Sequence, residues 1–307
     1  MDNPFADPEP DERRMILSMM IRTSYREVLR KEVVWRAIAR PHKEELRMGT
    51  AHVQGDLWSA RTQDWADLQE RFSIPLFEAV FERLRVEKGM RLLDVGCGAG
   101  GAAQIASRRG TWVSGLDASG TMIEIARKRV PDGDFSVGEI EELPYADHIF
   151  KAVVGFNAFQ YAGDPVAALR EAKRVTSSGG QVVMAIWGRP QDCEHAVTLK
   201  AVGSLLPPPP PGASGPFALS DPGKVEALME QAGLQPLDSG EVDCPFEYPD
   251  AETAWRAVSS AGPVIRAIRH AGEEHTKQAI MDSLTPYKTH TGGYLQENKF
   301  RFVIATA

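Results

Sequence analysis

Cysteine is scarce in this sequence of 307 residues. Its three cysteines, Cys97, Cys193 and Cys244, are far apart along the chain. They match neither the paired spacing of a metal site nor the even, dense pattern of a disulfide framework. We therefore expect no disulfide scaffold and no bound metal.

The sequence also lacks an excess of basic charge and any long apolar run. The 42 acidic residues outnumber the 35 Lys and Arg, which leaves a formal net charge of −7. Nucleic acid is a poor candidate partner because nucleic-acid-binding domains carry a basic surface. No run approaches the roughly 20 apolar residues of a spanning helix, and the first residues are acidic where a signal peptide is basic. We expect no membrane span and a cytoplasmic location.

A glycine-rich turn after an apolar strand is the most informative motif present. Residues 91–101 read RLLDVGCGAGG, and glycine lets the chain turn tightly while a ligand approaches its backbone. Such a turn after a buried parallel strand is typical of sites that bind nucleotide-like ligands. Asp94 precedes the first glycine, where a carboxylate would repel pyrophosphate and attract an ammonium group. The motif favours a cationic nucleoside without phosphate.

Two more carboxylates end the next two predicted strands. Asp117 stands nineteen residues after Gly98, a position that suits a carboxylate binding both hydroxyls of a ribose. Glu139 ends the third strand and is placed to accept a hydrogen bond from the exocyclic amine of a purine. An amine, a ribose and an adenine would thus each have a partner.

These motifs resemble the class I S-adenosylmethionine-dependent methyltransferases, and in particular the small-molecule branch that includes the quinone-biosynthesis enzymes. The resemblance covers roughly residues 90–190 and runs through 94–100, 115–119, 137–144, 155–161, 164–171 and 177–183. It implies S-adenosylmethionine as donor, S-adenosylhomocysteine as product and no metal. The residues expected to bind the donor are Trp65, Asp94, Gly96, Cys97, Gly98, Asp117, Ala118, Glu139, Ile140 and Asn157.

Strand and helix patterns alternate from Arg91 onward. Strands are predicted near 91–95, 112–116, 134–137, 151–156 and 181–187, and helices near 100–109, 119–130 and 164–175. This alternation implies an α/β fold with a parallel sheet, helices on both faces and ligand at the carboxyl ends of the strands. Together, the alternating pattern and the family resemblance predict a Rossmann-like, doubly wound, mostly parallel seven-stranded sheet. A helical amino-terminal arm and inserted lid helices are expected to accompany this sheet.

The predicted organisation has four parts. They are a helical arm or cap over 1–70, a donor-binding core over 71–188, remaining core elements with a lid insertion over 189–297, and the final strand over 298–307. The arm has an amphipathic pattern over residues 10–40, so we expect it to form a lid or a contact in a homo-oligomer.

The acceptor is expected to be an apolar, ring-bearing small molecule, because the predicted lid is rich in Met, Phe and Trp. Candidate bases are His195, Tyr25, His52 and Tyr161. His195 is favoured because a histidine near neutral pH can take a proton from a phenol or a carbon acid. The sequence does not distinguish methylation at oxygen, nitrogen or carbon.

Two other functions remain alternatives. Gly96, Gly98 and Gly101 also satisfy the dinucleotide pattern of NAD-dependent oxidoreductases, but that function predicts a small residue in place of Asp94 and has no role for Glu139. A donor-binding relative with a regulatory or cyclase-like role is the second alternative. The undamaged donor motifs favour an enzyme.

Overall fold

A seven-stranded, mostly parallel sheet is the centre of the computed structural model, which describes residues 49–207 and 215–307. Its strands are β1 Arg91–Val95, β2 Trp112–Asp117, β3 Asp134–Val137, β4 Phe150–Phe156, β5 Thr176–Trp187, β6 Gln235–Asp243 and β9 Lys299–Thr306. The order is β3-β2-β1-β4-β5-β9-β6, and β9 is antiparallel to both of its neighbours. The predicted fold class is confirmed.

The central strands form because their apolar runs are buried on both faces, as a helix-covered parallel sheet requires. Leu92, Leu93 and Val95 of β1 are fully buried. The strand β5 starts at Thr176, five residues before the predicted start. Gly179 and Gly180 lie inside this strand, where the pairing with β4 shifts register.

Five amphipathic helices cover the sheet, namely Ile74–Arg83, Gly101–Arg108, Gly120–Arg129, Pro165–Val175 and Lys224–Gln231. Asp164 caps the fourth of these, because its Oδ1 accepts hydrogen bonds from the backbone N–H groups of Val166 and Ala167 at 2.9 and 3.1 Å. The N-cap position of the fifth helix carries no capping side chain. Gly223 occupies that position, and the Ser220 hydroxyl instead donates to the carbonyl of Trp187.

A cap and an insertion lie at the carboxyl edge of the sheet. The cap contains the helix Ala51–Trp58 and three short turns, Thr62–Asp64, Trp65–Gln69 and Glu70–Ser73. The insertion contains the helices Ala251–Ser259, Gly262–Ala271 and Glu273–Leu284, between the paired strands β7 Phe246–Tyr248 and β8 Tyr294–Gln296. The remaining helix, Ala196–Ser204, follows β5. The three insertion helices therefore lie between β6 and β9 in the chain.

Part of the predicted arm lies outside the described residues. This applies to the amphipathic segment 10–40 with Tyr25, and also to residues 208–214 of the proline-rich run. Within the two described ranges, no helix has the length and apolar character needed to cross a bilayer.

Candidate functional site

A cavity lies where the strand order reverses between β1 and β4, the point at which open α/β sheets bind ligands. It contains about 1280 Å³ of empty space including its open mouth. The walls combine polar groups from the strand ends with aromatic side chains from the cap, β4, β5, β7 and β9, and with aliphatic side chains from the insertion.

The glycine-rich loop after β1 forms one end of this cavity. Gly96 and Gly98 both line it and both have positive φ, +71° and +53°. A Cβ atom at Gly96 would lie 2.5 Å from the Cβ of Ala158, so a side chain there has neither the space nor the backbone conformation. The loop is attached to β2, because the N–H groups of Gly96 and Cys97 both donate to the carbonyl of Leu116.

Asp94 lies behind this loop with only 1% of its surface exposed, and it does not reach the cavity wall. Its Oδ2 has no hydrogen-bond partner within residues 49–207 and 215–307. Burial, together with the nearby charges of Glu70 and Asp117, raises the pKa of Asp94 to about 8. A buried acid without a partner is costly, so this side chain is suited to a cationic group that binds next to the loop.

Asp117 ends β2 and lines the cavity beside Ala118. Its Oδ2 accepts a hydrogen bond from the N–H of Gly98 at 2.9 Å, and its Oδ1 accepts from the N–H of Ser119 at 2.8 Å. Burial raises the pKa of Asp117, and these backbone donors partly oppose that rise. Cys97 is buried in the core behind the loop, consistent with a small packed side chain.

Glu139 and Ile140 line the cavity at the end of β3. One carboxylate oxygen of Glu139 accepts from the N–H of Ile140 at 2.8 Å, and the other accepts from the N–H of Ala51 at 2.8 Å. The first residues of the cap helix thus contact the group that we expect to bind adenine.

Glu70 and Arg129 connect the cap to the loop, and sequence analysis did not identify either residue. Glu70 is buried, accepts from the N–H of Gly101 at 3.2 Å and forms an ion pair with Arg129. Arg129 also donates to the carbonyls of Ala99 and Ala66 at 3.0 and 2.7 Å. Burial raises the pKa of Glu70, and Arg129 opposes that rise. No local pattern predicts this pair, because its members lie on separate segments.

Asn157, at the end of β4, lies on the cavity wall with a left-handed backbone, φ +51°, a conformation that Asn tolerates better than most residues. Its Oδ1 accepts from Gln160 at 3.0 Å. Trp65 lies on the wall with Trp58, and their rings meet edge to face at 4.8 Å. Tyr161 lines the same region, and burial raises its pKa to about 12, so its hydroxyl stays protonated at neutral pH.

His195 lines the opposite side of the cavity, next to Trp187. The two rings stack with an interplanar angle of 12° and centroids 5.7 Å apart. His195 Nδ1 lies 2.8 Å from Oε1 of Gln296. Burial lowers the pKa of His195 to about 4, so the neutral imidazole is the stable form at pH 7. Gln296, which sequence analysis missed, reaches His195 from a strand about 100 residues away.

The cap and the insertion are joined over the cavity by charged side chains. Arg256 forms an ion pair with Asp64 at 2.6 Å, and Arg61 forms one with Glu273 at 2.7 Å. A further pair joins the cap helix to the helix Gly262–Ala271, which carries Pro263 and Val264 of the cavity wall. These contacts join the cap to the insertion, and both elements carry residues of the cavity wall.

The structure brings most of the predicted site residues to one cavity. Trp65, Gly96, Gly98, Asp117, Ala118, Glu139, Ile140, Asn157 and His195 line it, whereas Asp94 and Cys97 lie behind its loop. His52 is exposed on the cap helix and does not line the cavity. Tyr25 lies outside the described residues. Within the described ranges, no three His, Cys, Asp or Glu side chains group as metal ligands would.

Comparisons with known proteins agree with this geometry. A family model described as a methyltransferase domain matches residues 93–184. The malonyl-[acyl-carrier protein] O-methyltransferase of Erwinia billingiae is 30% identical over 186 residues, which are 60% of this chain and 70% of that protein. The chain belongs to the class I S-adenosylmethionine-dependent methyltransferases.

Other relatives of this methyltransferase match over shorter parts. A demethylmenaquinone methyltransferase of Renibacterium salmoninarum is 37% identical over 102 residues, which are 33% of this chain and 43% of that protein. The YcgJ protein of Bacillus subtilis has a similar fold, with a TM-score of 0.52, 21% identity, and coverage of 75% of this chain and 97% of that chain. The chain spans between 42 and 66% of the length of three of the curated relatives.

The site fits the donor that this family uses. Asp94 has a buried oxygen without a partner, where a donor ammonium would supply one. Gly96 and Gly98 line the cavity with backbone that carries no side chain, and Asp117 and Glu139 present carboxylates at the next two strand ends. These groups therefore follow one another along the strand ends in the order that the sequence predicts.

Proposed function

We propose that this protein transfers a methyl group from S-adenosylmethionine to an apolar, ring-bearing small molecule. The observation that carries the proposal is one continuous cavity with carboxylates and the glycine-rich loop at one end and aromatic side chains at the other. A donor at the loop would then lie next to an apolar second ligand.

The donor end contains a group for each part of the donor. Asp94 would stabilise the ammonium from behind the loop, and Gly96 and Gly98 would offer their backbone. Asp117 would accept from the ribose hydroxyls, while Glu139 and the N–H of Ile140 would bind the adenine edge. A carboxylate has about four acceptor positions, so Glu139 can accept from adenine while it keeps the N–H of Ala51. The N–H of Ile140 would have to leave Oε1 of Glu139 before it donates to the adenine edge.

The methionine side of the donor would lie between Asn157 and Trp65. An aromatic face attracts a sulfonium as it attracts an ammonium, and Trp65 is held edge to face against Trp58. Glu70 and Arg129 would keep this part of the cap in contact with the glycine-rich loop, because they bond to Gly101, Ala99 and Ala66.

The acceptor end is mainly apolar. Its walls carry Trp58, Phe156, Trp187, Leu199, Phe246, Val258, Val264 and Phe300. An apolar pocket with few polar groups favours an apolar ring and uses those polar groups to orient it. Polar side chains on the wall include His195, Tyr161, Gln69 and Ser73, and each can orient a substituent on the ring.

The chain would contribute alignment and exclusion of water. S-adenosylmethionine, when bound, supplies a methyl group that is already activated on a sulfonium, so catalysis depends mainly on orientation and desolvation. The ion pairs between the cap and the insertion would hold the aromatic wall closed around the acceptor.

A binding and transfer experiment tests this proposal. Calorimetry should show that S-adenosylmethionine and S-adenosylhomocysteine bind with roughly micromolar dissociation constants, about −7 to −8 kcal/mol. Radiolabelled donor, incubated with a panel of apolar phenols, anilines and quinone-type rings, should yield a methylated product that mass spectrometry identifies. Tighter binding of NADH than of the donor would reject the donor assignment, and binding without transfer to any member would favour the regulatory or cyclase-like alternative.

A further inference from the structure

The imidazole of His195 is held in one tautomer by Gln296. Oε1 of Gln296 lies 2.8 Å from Nδ1 of His195, while Nε2 of Gln296 donates to the carbonyl of Glu194 at 3.3 Å. The carbonyl of Glu194 cannot donate, so it requires the amide NH₂ on its side and leaves the amide oxygen facing His195. Nδ1 therefore carries the proton, and Nε2 carries the free lone pair.

A network of hydrogen bonds fixes this pair rigidly. The N–H of His195 donates to Oδ1 of Asn298 at 2.9 Å, and the side chain of Asn298 in turn donates to the carbonyl of Gln296 at 3.1 Å. The rings of Trp187 and Phe246 hold the imidazole on two sides, stacked on one and edge to face on the other. Both Gln296 and Asn298 are almost fully buried.

The remaining nitrogen is available to a ligand in the cavity. His195 lines the cavity, and Nε2 has no hydrogen-bond partner among the described side chains and backbone groups. The rings of Trp187 and Phe246 flank the imidazole, so Nε2 is a hydrogen-bond acceptor within an aromatic part of the wall. An acceptor that donates a hydrogen bond would be oriented by it.

We propose that the acceptor is a neutral hydroxyl compound, a phenol or an enol, that His195 Nε2 receives its proton, and that Gln296 positions His195 for this role. The proposal rests on the proposed methyl transfer and names its substrate class. His195 is then a catalytic residue, and Gln296 is a positioning residue.

The step balances in atoms and in charge. The oxygen–methyl bond forms as the sulfur–methyl bond breaks, and the hydroxyl proton moves to Nε2 of His195. The donor sulfur loses its positive charge as the imidazole gains one, so the net charge of the closed cavity does not change. A buried imidazole that resists protonation in the free protein can therefore accept a proton during transfer.

The chemistry selects hydroxyl compounds over bound anions. A phenolate would have to be buried among apolar side chains without a cationic partner from the described wall residues, which is unfavourable. A neutral phenol instead donates its hydrogen bond to Nε2 and loses the proton only as its oxygen is methylated. Burial lowers the pKa of His195, and the hydrogen bond with Gln296 opposes this by raising it.

Nitrogen NMR of the donor-free protein tests the positioning directly. Long-range ¹⁵N–¹H spectra of labelled protein, assigned with His195→Gln, should show protonated Nδ1 and unprotonated Nε2 for His195 from neutral pH down to about pH 5. Titration with 2-naphthol should shift the Nε2 resonance, and naphthalene, the matched ligand without a hydroxyl, should not. Protonated Nε2, or equal effects of the two ligands, would overturn the proposal.

Variants at Gln296 separate positioning from a structural role. Gln296→Leu should lower kcat about 10-fold or more with little change in KM, because the imidazole can then adopt the wrong tautomer. Gln296→Glu, which retains an acceptor for Nδ1–H, should recover most of kcat and raise the apparent pKa on the acidic limb of the pH profile. Equal loss in both variants, with native circular dichroism, would contradict the positioning role.

The acceptor panel keeps the two proposals distinguishable. If donor binds and anilines are methylated at least as fast as phenols, the methyltransferase function stands and the hydroxyl proposal is wrong. If phenols are methylated and His195→Gln retains wild-type kcat, His195 is not the proton acceptor. If no compound is methylated, the proposed function fails, and the 2-naphthol titration alone decides whether Nε2 recognises a hydroxyl.

Discussion

The carboxylate of Asp117 accepts a hydrogen bond from the N–H of Gly98 at 2.9 Å, so the end of β2 holds the loop that follows β1. We expect Asp117→Ala to lower donor affinity at least 10-fold, because the ribose hydroxyls lose their acceptor and the loop loses its support, about 1.5–3 kcal/mol per charged hydrogen bond. Calorimetry with S-adenosylhomocysteine measures this loss of affinity.

Two further variants control this measurement. Asp117→Asn keeps one oxygen acceptor and should lose less affinity than Asp117→Ala. Asp238→Ala removes an exposed carboxylate that pairs with Arg83 on the edge of the sheet and should bind the product like wild type. Equal affinity of wild type and Asp117→Ala would reject the ribose assignment.

Donor binding should release a proton through Asp94. In the free protein its pKa is raised to about 8, so at pH 7 the carboxyl is mainly protonated. An ammonium group favours the carboxylate and lowers this pKa. Donor affinity should therefore rise as pH increases from about 6 towards 7.5, below the range where the donor amine itself begins to titrate.

Calorimetry in two buffers checks this proton release. At pH 7 the apparent binding enthalpy should differ between phosphate and Tris, whose ionisation enthalpies differ, and Asp94→Asn should remove the difference. Identical enthalpies in both buffers for the wild type would show that Asp94 does not change its protonation on binding.

The ion pair between Arg256 and Asp64 should affect the acceptor more than the donor, because it joins the insertion to the cap. Single exposed pairs contribute little to stability, so we expect Arg256→Gln to fold normally. Its KM for the acceptor should rise about 2- to 5-fold at low salt, with the difference reduced at about 0.5 M NaCl.

A matched variant distinguishes closure from general surface charge. Arg83→Gln removes another exposed ion pair, with Asp238 of β6, and should leave KM for both ligands unchanged. An equal rise in KM for both variants would indicate a general electrostatic effect instead of closure.

Methyl transfer should not depend on a metal ion, because the sequence carries no metal-ligand spacing and the donor is already activated. Turnover with and without excess EDTA should agree within about twofold. Loss of turnover that magnesium specifically restores would reveal a metal-dependent acceptor site.

The amino-terminal arm should take part in the working protein, because an amphipathic segment needs a covering surface. Residues 1–48 lie outside the described residues, so this prediction rests on the sequence. If the arm is a lid, removing residues 1–48 should preserve donor binding and lower acceptor turnover. If it is a subunit contact, light scattering should report a smaller particle. Unchanged mass together with unchanged turnover would exclude both roles.

Several features of the site could be predicted from local sequence patterns. An apolar run ending in Asp94, Asp117 or Glu139 identifies a strand end, and alternation with helices makes those strands parallel. Because parallel strands share one carboxyl edge, the order of the carboxylates along the chain also indicates their order along the sheet. The start of β5 was harder to predict. Gly179 and Gly180 suggest a turn before the strand, but they lie inside it, where its pairing with β4 shifts register.

Only the tertiary structure identified the partners of these groups. The sequence by itself placed a glycine-rich loop and three carboxylates at one edge of the sheet, because strand ends are encoded by neighbouring residues, and two of these carboxylates line the cavity. Packing of distant segments decided that Glu70 pairs with Arg129 and that Gln296 orients His195. Such pairs depend on where long segments of the chain fold back onto the core. Short-range patterns in the sequence do not indicate which distant residues then meet.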